Sequence, residues 1–316
     1  MRFAKGHGTE NDFVILPDPD GELDLDAATV AALCDRRAGL GADGVLRVVR
    51  TKALGEPLAG EAADAARCEW FMDYRNADGS VAEMCGNGVR VFARYLRESA
   101  LVGDTVFEVG TRAGARRVTL EDDGDVTVDM GPVRVLGPGR AELADGPVRG
   151  VRVSVGNPHL ACRVARPVAG ERGGLRGRGP GGAGGGGGPG RGGRVSVGNP
   201  HLACRVARPV AEVDLGRPPV LREEEFPHGA NVEVFREVAP GVLEMRVYER
   251  GAAETRSCGT GIVAAAAAAT PPGEDAEWTV QVPGGVCAVV LEGGAARLRG
   301  PAVIVAEGDV RLPAAR

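Results

Sequence analysis

The chain has 316 residues, 43% of them hydrophobic and 26% charged, enough to bury the core of one large domain or two ordinary ones. With 38 basic and 43 acidic residues its net charge is -5, a balance that recommends neither nucleic acid nor a membrane surface as a partner. The start, MRFAKGHGTENDFVIL, lacks an apolar stretch of signal-peptide length, and no apolar run approaches the ~18 residues of a membrane span, so a cytoplasmic location is expected.

Period-two alternation recurs along the chain, in FVIL (13–16), GVLRVVR (44–50), RRVTLEDDGDVTVDM (116–130), GVRVSVG (150–156), ANVEVF (230–235), LEMRVY (243–248) and a long meander over 278–305. Gly, Pro and Asp punctuate these runs, which predicts strands and hairpins. Helical patterning is confined to DAATVAALCDRR (26–37), GVRVFARYLRES (88–99) and GIVAAAAAA (261–269), the last stopped by Thr270 before Pro271 and Pro272. The class predicted is α+β.

Two of the three helices share a beginning: EMCGNG (83–88) precedes one and RSCGTG (256–261) the other. This distant internal repeat implies two similar domains facing each other. A second repeat is of another kind. RVSVGNPHLACRVARPVA stands at 152–169 and again, identically, at 194–211. The intervening 170–193 is more than half glycine and too poor in apolar residues to offset its chain entropy, so a disordered insert is expected there.

Seven cysteines are scattered without a CxxC pair, which argues against a disulfide framework and a zinc site. Cys85 and Cys258 are set apart by position. A thiol at a helix N-terminus meets unpaired N–H groups and the positive end of the macrodipole, which should lower its pKa. The same groups hold a carboxylate. Two such thiols opposed across a cleft suit proton abstraction from one face of a carbon and delivery to the other, with closure excluding water. No cofactor is required, and the only lysines, Lys5 and Lys52, lack a recognisable pyridoxal-phosphate setting. Asn76 and Asn87 flank the first cysteine as readers of polar substrate ends, while Glu249 and Arg250 precede the second, Arg250 as a carboxylate clamp.

The ordered set FAKGHGTENDFV, GLGADGVL, YRNADGSVAEMCGNGVR, VSVGNPH, GANVEVF, YERGAAETRSCGTG and GPAVIVAEG resembles the diaminopimelate epimerases over nearly the whole chain apart from the insert and one repeat copy. The resemblance implies interconversion of LL- and meso-2,6-diaminopimelate, without cofactor or metal, on the path to lysine and peptidoglycan precursors. It implies a homodimer, and two pseudo-symmetric domains, each a curved, mostly antiparallel sheet around a central helix. The expected division is 1–130, joined by about 303–316, and 131–302. The resemblance makes Cys85 and Cys258 the acid/base thiols, with Gly86, Asn87, Gly259 and Thr260 holding the reacting carboxylate. Asn11, Asn76, Asn231, Arg250 and the asparagine of GNPH, Asn157 or its duplicate Asn199, would grip the rest of the substrate. Glu249 and the GNPH histidine, His159 or His201, would lie beside the reacting centre. The upstream context, with Val151 extending the strand, favours Asn157 and His159. Two departures from the family pattern stand out: Thr9-Glu10 replaces a Gly-containing turn before Asn11, and Gly44 stands where some members carry a substrate-contacting Gln.

Two alternatives remain open at this stage. A proline or hydroxyproline racemase of the same fold would use two thiols but has no use for a distal carboxylate clamp. The Arg/Gly segment also resembles an RGG-type nucleic-acid tether.

Overall fold

The computed structural model describes residues 1–155 and 200–311. Among these residues the first half of the chain forms β1 (Arg2–Gly8), β2 (Asn11–Pro17), α1 (Ala27–Cys34), β3 (Gly44–Arg50), β4 (Trp70–Asn76), α2 (Gly86–Glu98), β5 (Val106–Thr111), β6 (Gly114–Leu120) and β7 (Asp125–Leu143). The second half forms β8 (Gly146–Val155), β9 (Pro200–Arg205), β10 (Val220–Leu221), β11 (Asn231–Ala239), β12 (Val242–Glu249), β13 (Ala253–Thr255), α3 (Gly259–Ala269), β14 (Ala276–Val282), β15 (Gly285–Glu292), β16 (Ala295–Pro301) and β17 (Val303–Asp309).

The halves repeat one topology. β1–β2 and β8–β9 pair antiparallel, β2–β3 and β9–β11 parallel, and β3–β4 and β11–β12 antiparallel. After the helix, β4–β5 and β12–β14 pair parallel, and the two closing meanders β5–β6–β7 and β14–β15–β16 antiparallel. β7 and β16, the last strands of their repeats, pair with each other and join the halves. The far end of β7 then pairs with β8, and β17, which continues β16, pairs with β1. The ladder β7–β8–β9–β11–β12–β14–β15–β16 thereby returns to β7 as a closed barrel.

Each half wraps a helix. α3 touches every strand of the closed ring, and its sequence GTGIVAAAAAA explains how it fits. Such a ring leaves space for little more than filled side chains, so the enclosed helix must be apolar on all sides and mostly alanine. Ile262, Val263 and Ala264–Ala266 are fully buried. α2 is less enclosed and carries Arg90, Arg94 and Arg97, yet Val89, Phe92 and Leu96 join Ile262 and Val263 in one continuous core. Each such side chain contributes about 1.5–3 kcal/mol relative to exposure. No helix among the described residues is long and apolar enough to cross a membrane.

Several boundaries differ from the sequence reading. α1 ends at Cys34 because the Asp35 side chain accepts the N–H groups of Arg37 and Ala38, a turn that competes with the helix. α2 and α3 begin at Gly86 and Gly259, directly after their cysteines. β7 runs through Gly137 and Pro138, which read as breakers; a register shift between Val135 and Gly137, with Gly137 at φ 102°, accommodates them. The duplicated segment is divided: the first copy's RVSV ends β8, and the second copy's PHLACR is β9. The insert 170–193 lies outside the described residues.

Candidate active site

Cys85 and Cys258 occupy equivalent positions as N-caps, with φ/ψ of -136°/120° and -131°/113°. Extended cap geometry directs each thiol at the open N–H groups of its own helix. Cys85 Sγ accepts from the Gly88 N–H at 3.4 Å, and Cys258 Sγ lies 3.4 Å from Thr260 Oγ1. The two helix starts abut. A β-carbon at Gly259 would lie 3.0 Å from Asn87 N and 3.1 Å from Gly86 Cα, so the glycine after the second cysteine permits this approach. Two positive helix ends thus converge on one place, an arrangement suited to a carboxylate.

Asn87 ties the halves together, and Asn11 braces it. Asn87, fully buried, donates from Nδ2 to Asn11 Oδ1 at 3.2 Å and to Ser257 Oγ at 3.2 Å. Asn11 Oδ1 also accepts from the Cys85 thiol at 3.7 Å, while its Nδ2 donates to Asp43 at 2.7 Å. Thr9 and Glu10, the departure noted in the sequence, form the two-residue β1–β2 turn at φ 49° and 61°. Such left-handed turns match hairpin twist but cost non-glycine residues about 1–2 kcal/mol each. Here Thr9 Oγ1 meets Ser257 Oγ at 2.6 Å and accepts from Arg90 Nη2 at 3.3 Å, and Glu10 pairs with Arg256. The turn is therefore fastened to the residues just before Cys258.

On the other side of Cys258 stand Glu249, His201 and Glu233. Burial pushes the Glu249 carboxyl up, against hydrogen bonds from Thr255 and Cys258 and the nearby His201, with Glu233 adding to the rise. His201 Nδ1 lies 2.6 Å from Glu233 Oε1, both side chains fully buried. The sequence reading favoured Asn157 and His159; these two, and Asn199, lie outside the described residues, and the histidine the structure places beside Glu249 is His201 of the second copy. The strand context divides between the copies: the first supplies β8, and the second supplies the histidine strand with its natural continuation.

The thiols depart from expectation in one respect. Burial pushes Cys85 up to about 12. The N–H groups of Gly88 and Asn87 and the Arg90 charge pull the other way, while Glu249 adds to the rise. Cys258 is driven well above the ordinary thiol value by burial first, then by Glu249 and Glu233, with Thr260 and Gly261 opposing. The helix ends act as anticipated, but desolvation outweighs them.

Asn76 and Arg250 do not converge with this group. Asn76 Nδ2 donates to Ser80 Oγ at 2.9 Å within its own turn. Arg250 is exposed, its guanidinium donating to the His228 carbonyl at 3.0 Å and its backbone N–H to Asn231 Oδ1 at 2.9 Å. Tyr74 was not anticipated. Its phenol is pushed well up, by burial first and then by Cys85, Glu249, Asp43 and Cys258, so it lies within electrostatic range of both thiols. A β-carbon at Gly44 would lie 2.5 Å from the Arg75 carbonyl and 2.7 Å from Tyr74 Cε2; at that position the ring stands where a side chain would have to go.

With this geometry, comparison with known proteins is direct. The sequence profile of diaminopimelate epimerase matches residues 3–136 and 193–312. The chain belongs to the diaminopimelate epimerase family. The family match resumes at 193, so it takes in the second GNPH copy and leaves out the first. A diaminopimelate epimerase of Thermobifida fusca is 76% identical over 316 residues, covering 100% of both chains. That of Rhodococcus jostii is 47% identical, covering 98% of this chain and 97% of its own. Among solved structures the fold is shared with a probable proline racemase from Agrobacterium radiobacter K84, 13% identical with a TM-score of 0.58 and covering 99% of this chain and 93% of that one. A PhzF-family phenazine biosynthesis protein from Bacillus anthracis is 16% identical, with a TM-score of 0.54 and 98% of each chain covered.

Proposed function

We propose that this chain interconverts LL- and meso-2,6-diaminopimelate by two-base proton transfer between Cys85 and Cys258. The observation that carries the reading is the pair of cysteine N-caps on abutting helix starts, in a chain 76% identical to a diaminopimelate epimerase. The substrate α-carboxylate sits between the helix starts, against the N–H groups of Gly86, Asn87, Gly259 and Thr260. Electron density developing toward that carboxylate as the α-proton leaves is stabilised there by fixed dipoles. One thiolate takes the α-proton and the opposite thiol delivers its own to the other face. Each inversion leaves the two cysteines with exchanged protonation states, and solvent restores them.

A high thiol pKa makes the thiolate a strong base once formed, which suits a weakly acidic C–H. The α-ammonium, beside Glu249 and His201, brings the positive charge that favours ionisation of a neighbouring thiol. Asn11, Asn76, Asn231 and Arg250, with the GNPH asparagine, grip the rest of the substrate including its distal end, so that both thiols address one carbon at near-attack distance. The working form we propose is a cytoplasmic homodimer of two-domain subunits, divided at about residue 130 with the C-terminal strand returned to the first domain.

The test is direct assay of the purified chain with LL-diaminopimelate and, separately, L-proline. Inversion of diaminopimelate and none of proline supports the reading. Inversion of proline alone would replace it with the racemase alternative.

A further inference from the structure

We infer that Glu233 is the positioning residue of His201: its carboxylate accepts the Nδ1–H hydrogen bond, fixes the ring tautomer and leaves Nε2 free as an acceptor for a substrate ammonium. The inference rests on the epimerase reading of this site. Along β11, Val232 and Val234 pack outward with Leu202 and Cys204, whereas Phe235 lies in the core with α3. Strand alternation therefore turns Glu233 toward the helix. There its Oε1 would lie 2.8 Å from a β-carbon at Gly261, so the carboxylate is pressed against the first turn behind Cys258. A side chain at Gly261 would have to displace this carboxylate.

The parallel register of β9 and β11, in which His201 stands beside Asn231, brings the imidazole to this carboxylate. Both side chains are fully buried, and their 2.6 Å contact is the one hydrogen bond recorded for either side chain among the described residues. A carboxylate offers only acceptors, so Nδ1 must donate. The other atoms of the pair, His201 Nε2 and Glu233 Oε2, are buried and have no partner among the described residues. Buried polar atoms seldom stay unpaired without a use, and both side chains act electrostatically on Glu249, the carboxylate beside Cys258. A donor arriving at Nε2 would complete the pair. The α-ammonium of an amino acid is such a donor.

A purely structural pair would show none of this in catalysis, so the test joins kinetics to spectroscopy. Glu233→Gln keeps the size and one acceptor; Glu233→Ala removes both. In the folded Glu233→Gln variant kcat should fall about tenfold or more while KM stays within roughly threefold. Adding His201→Asn should cost little further, because the two residues act as a unit. Independently of activity, nitrogen-15 NMR of the four histidines should show one slowly exchanging, Nδ1-protonated imidazole. That signal should vanish in His201→Asn and revert to the Nε2–H tautomer in Glu233→Ala. An Nε2–H tautomer for His201 in the parental chain would overturn the inference, as would Glu233 variants with unchanged tautomer and kcat. If the parental chain inverts proline instead of diaminopimelate, the activity reading fails while the tautomer still decides the role of Glu233.

Discussion

The two cysteine-bearing helix starts have the same backbone and different surroundings. At α2, Cys85 is half-buried, and Arg90, fully enclosed and with no carboxylate partner among the described residues, opposes the rise that burial and Glu249 cause. Its guanidinium donates to the Thr9 hydroxyl and the Pro301 carbonyl, and Nη1 has no partner among the described residues. At α3, Cys258 is only 6% exposed, the helix carries no charged residue, and the groups around the thiol are the carboxylates Glu249 and Glu233. The internal repeat copied geometry without copying charge. A cation favours the thiolate and carboxylates favour the thiol; Arg90 opposes the rise only at Cys85, whereas Glu233 adds to it only at Cys258, and this difference favours ionisation at Cys85.

The largest effect expected is the loss of either thiol. Cys85→Ala and Cys258→Ala should each lower inversion by roughly a thousandfold or more, since each removes one face's proton carrier. If either variant inverted diaminopimelate near the parental rate, the symmetry of roles would be broken. Next in size is alkylation of the free enzyme by iodoacetamide. Only the thiolate reacts, and with Cys85 near 12 its fraction is small at neutrality and grows as pH rises. Modification of Cys85, read by peptide mass spectrometry, should therefore quicken about tenfold per pH unit between pH 7 and 10 and precede that of Cys258. A plateau below pH 9, or prior labelling of Cys258, would reverse the assignment of charge. Smaller still is the histidine effect. His201→Asn should reduce kcat about tenfold and His159→Asn should leave it unchanged; silence of both single variants with loss in the double would show that the copies substitute for each other.

Much of this was legible in the sequence because it is local. Cys-Gly-polar-Gly before an apolar run specifies a capped helix start, and finding it at 85 and 258 announced the two-fold repeat before any strand pairing was known. The strand over residues 131–143 is not legible in the sequence because Gly137 and Pro138 normally break strands, and only pairing to β8 shows the bulge that keeps them in the ladder. Glu233 carried a weak signal, a carboxylate at an alternation position shared with Phe235 and Asn231, but its partner arrives on a parallel neighbour some thirty residues away. Tyr74 acts across a strand, over Gly44, and nothing in the sequence near Gly44 indicates it. The thiol pKa followed the same division. The helix end is a local feature and was anticipated; the desolvation that outweighs it depends on two halves closing over each other.

The most direct test of opposed thiols is the first turnovers of LL-diaminopimelate in heavy water, followed by NMR and mass spectrometry. Two-base transfer predicts that each newly formed meso molecule carries one deuterium at the inverted α carbon, while unconverted LL substrate stays unlabelled during that initial phase. Meso product retaining its original α-hydrogen, or substrate labelled as fast as product appears, would mean that one group both removes and returns the proton, and would contradict the account.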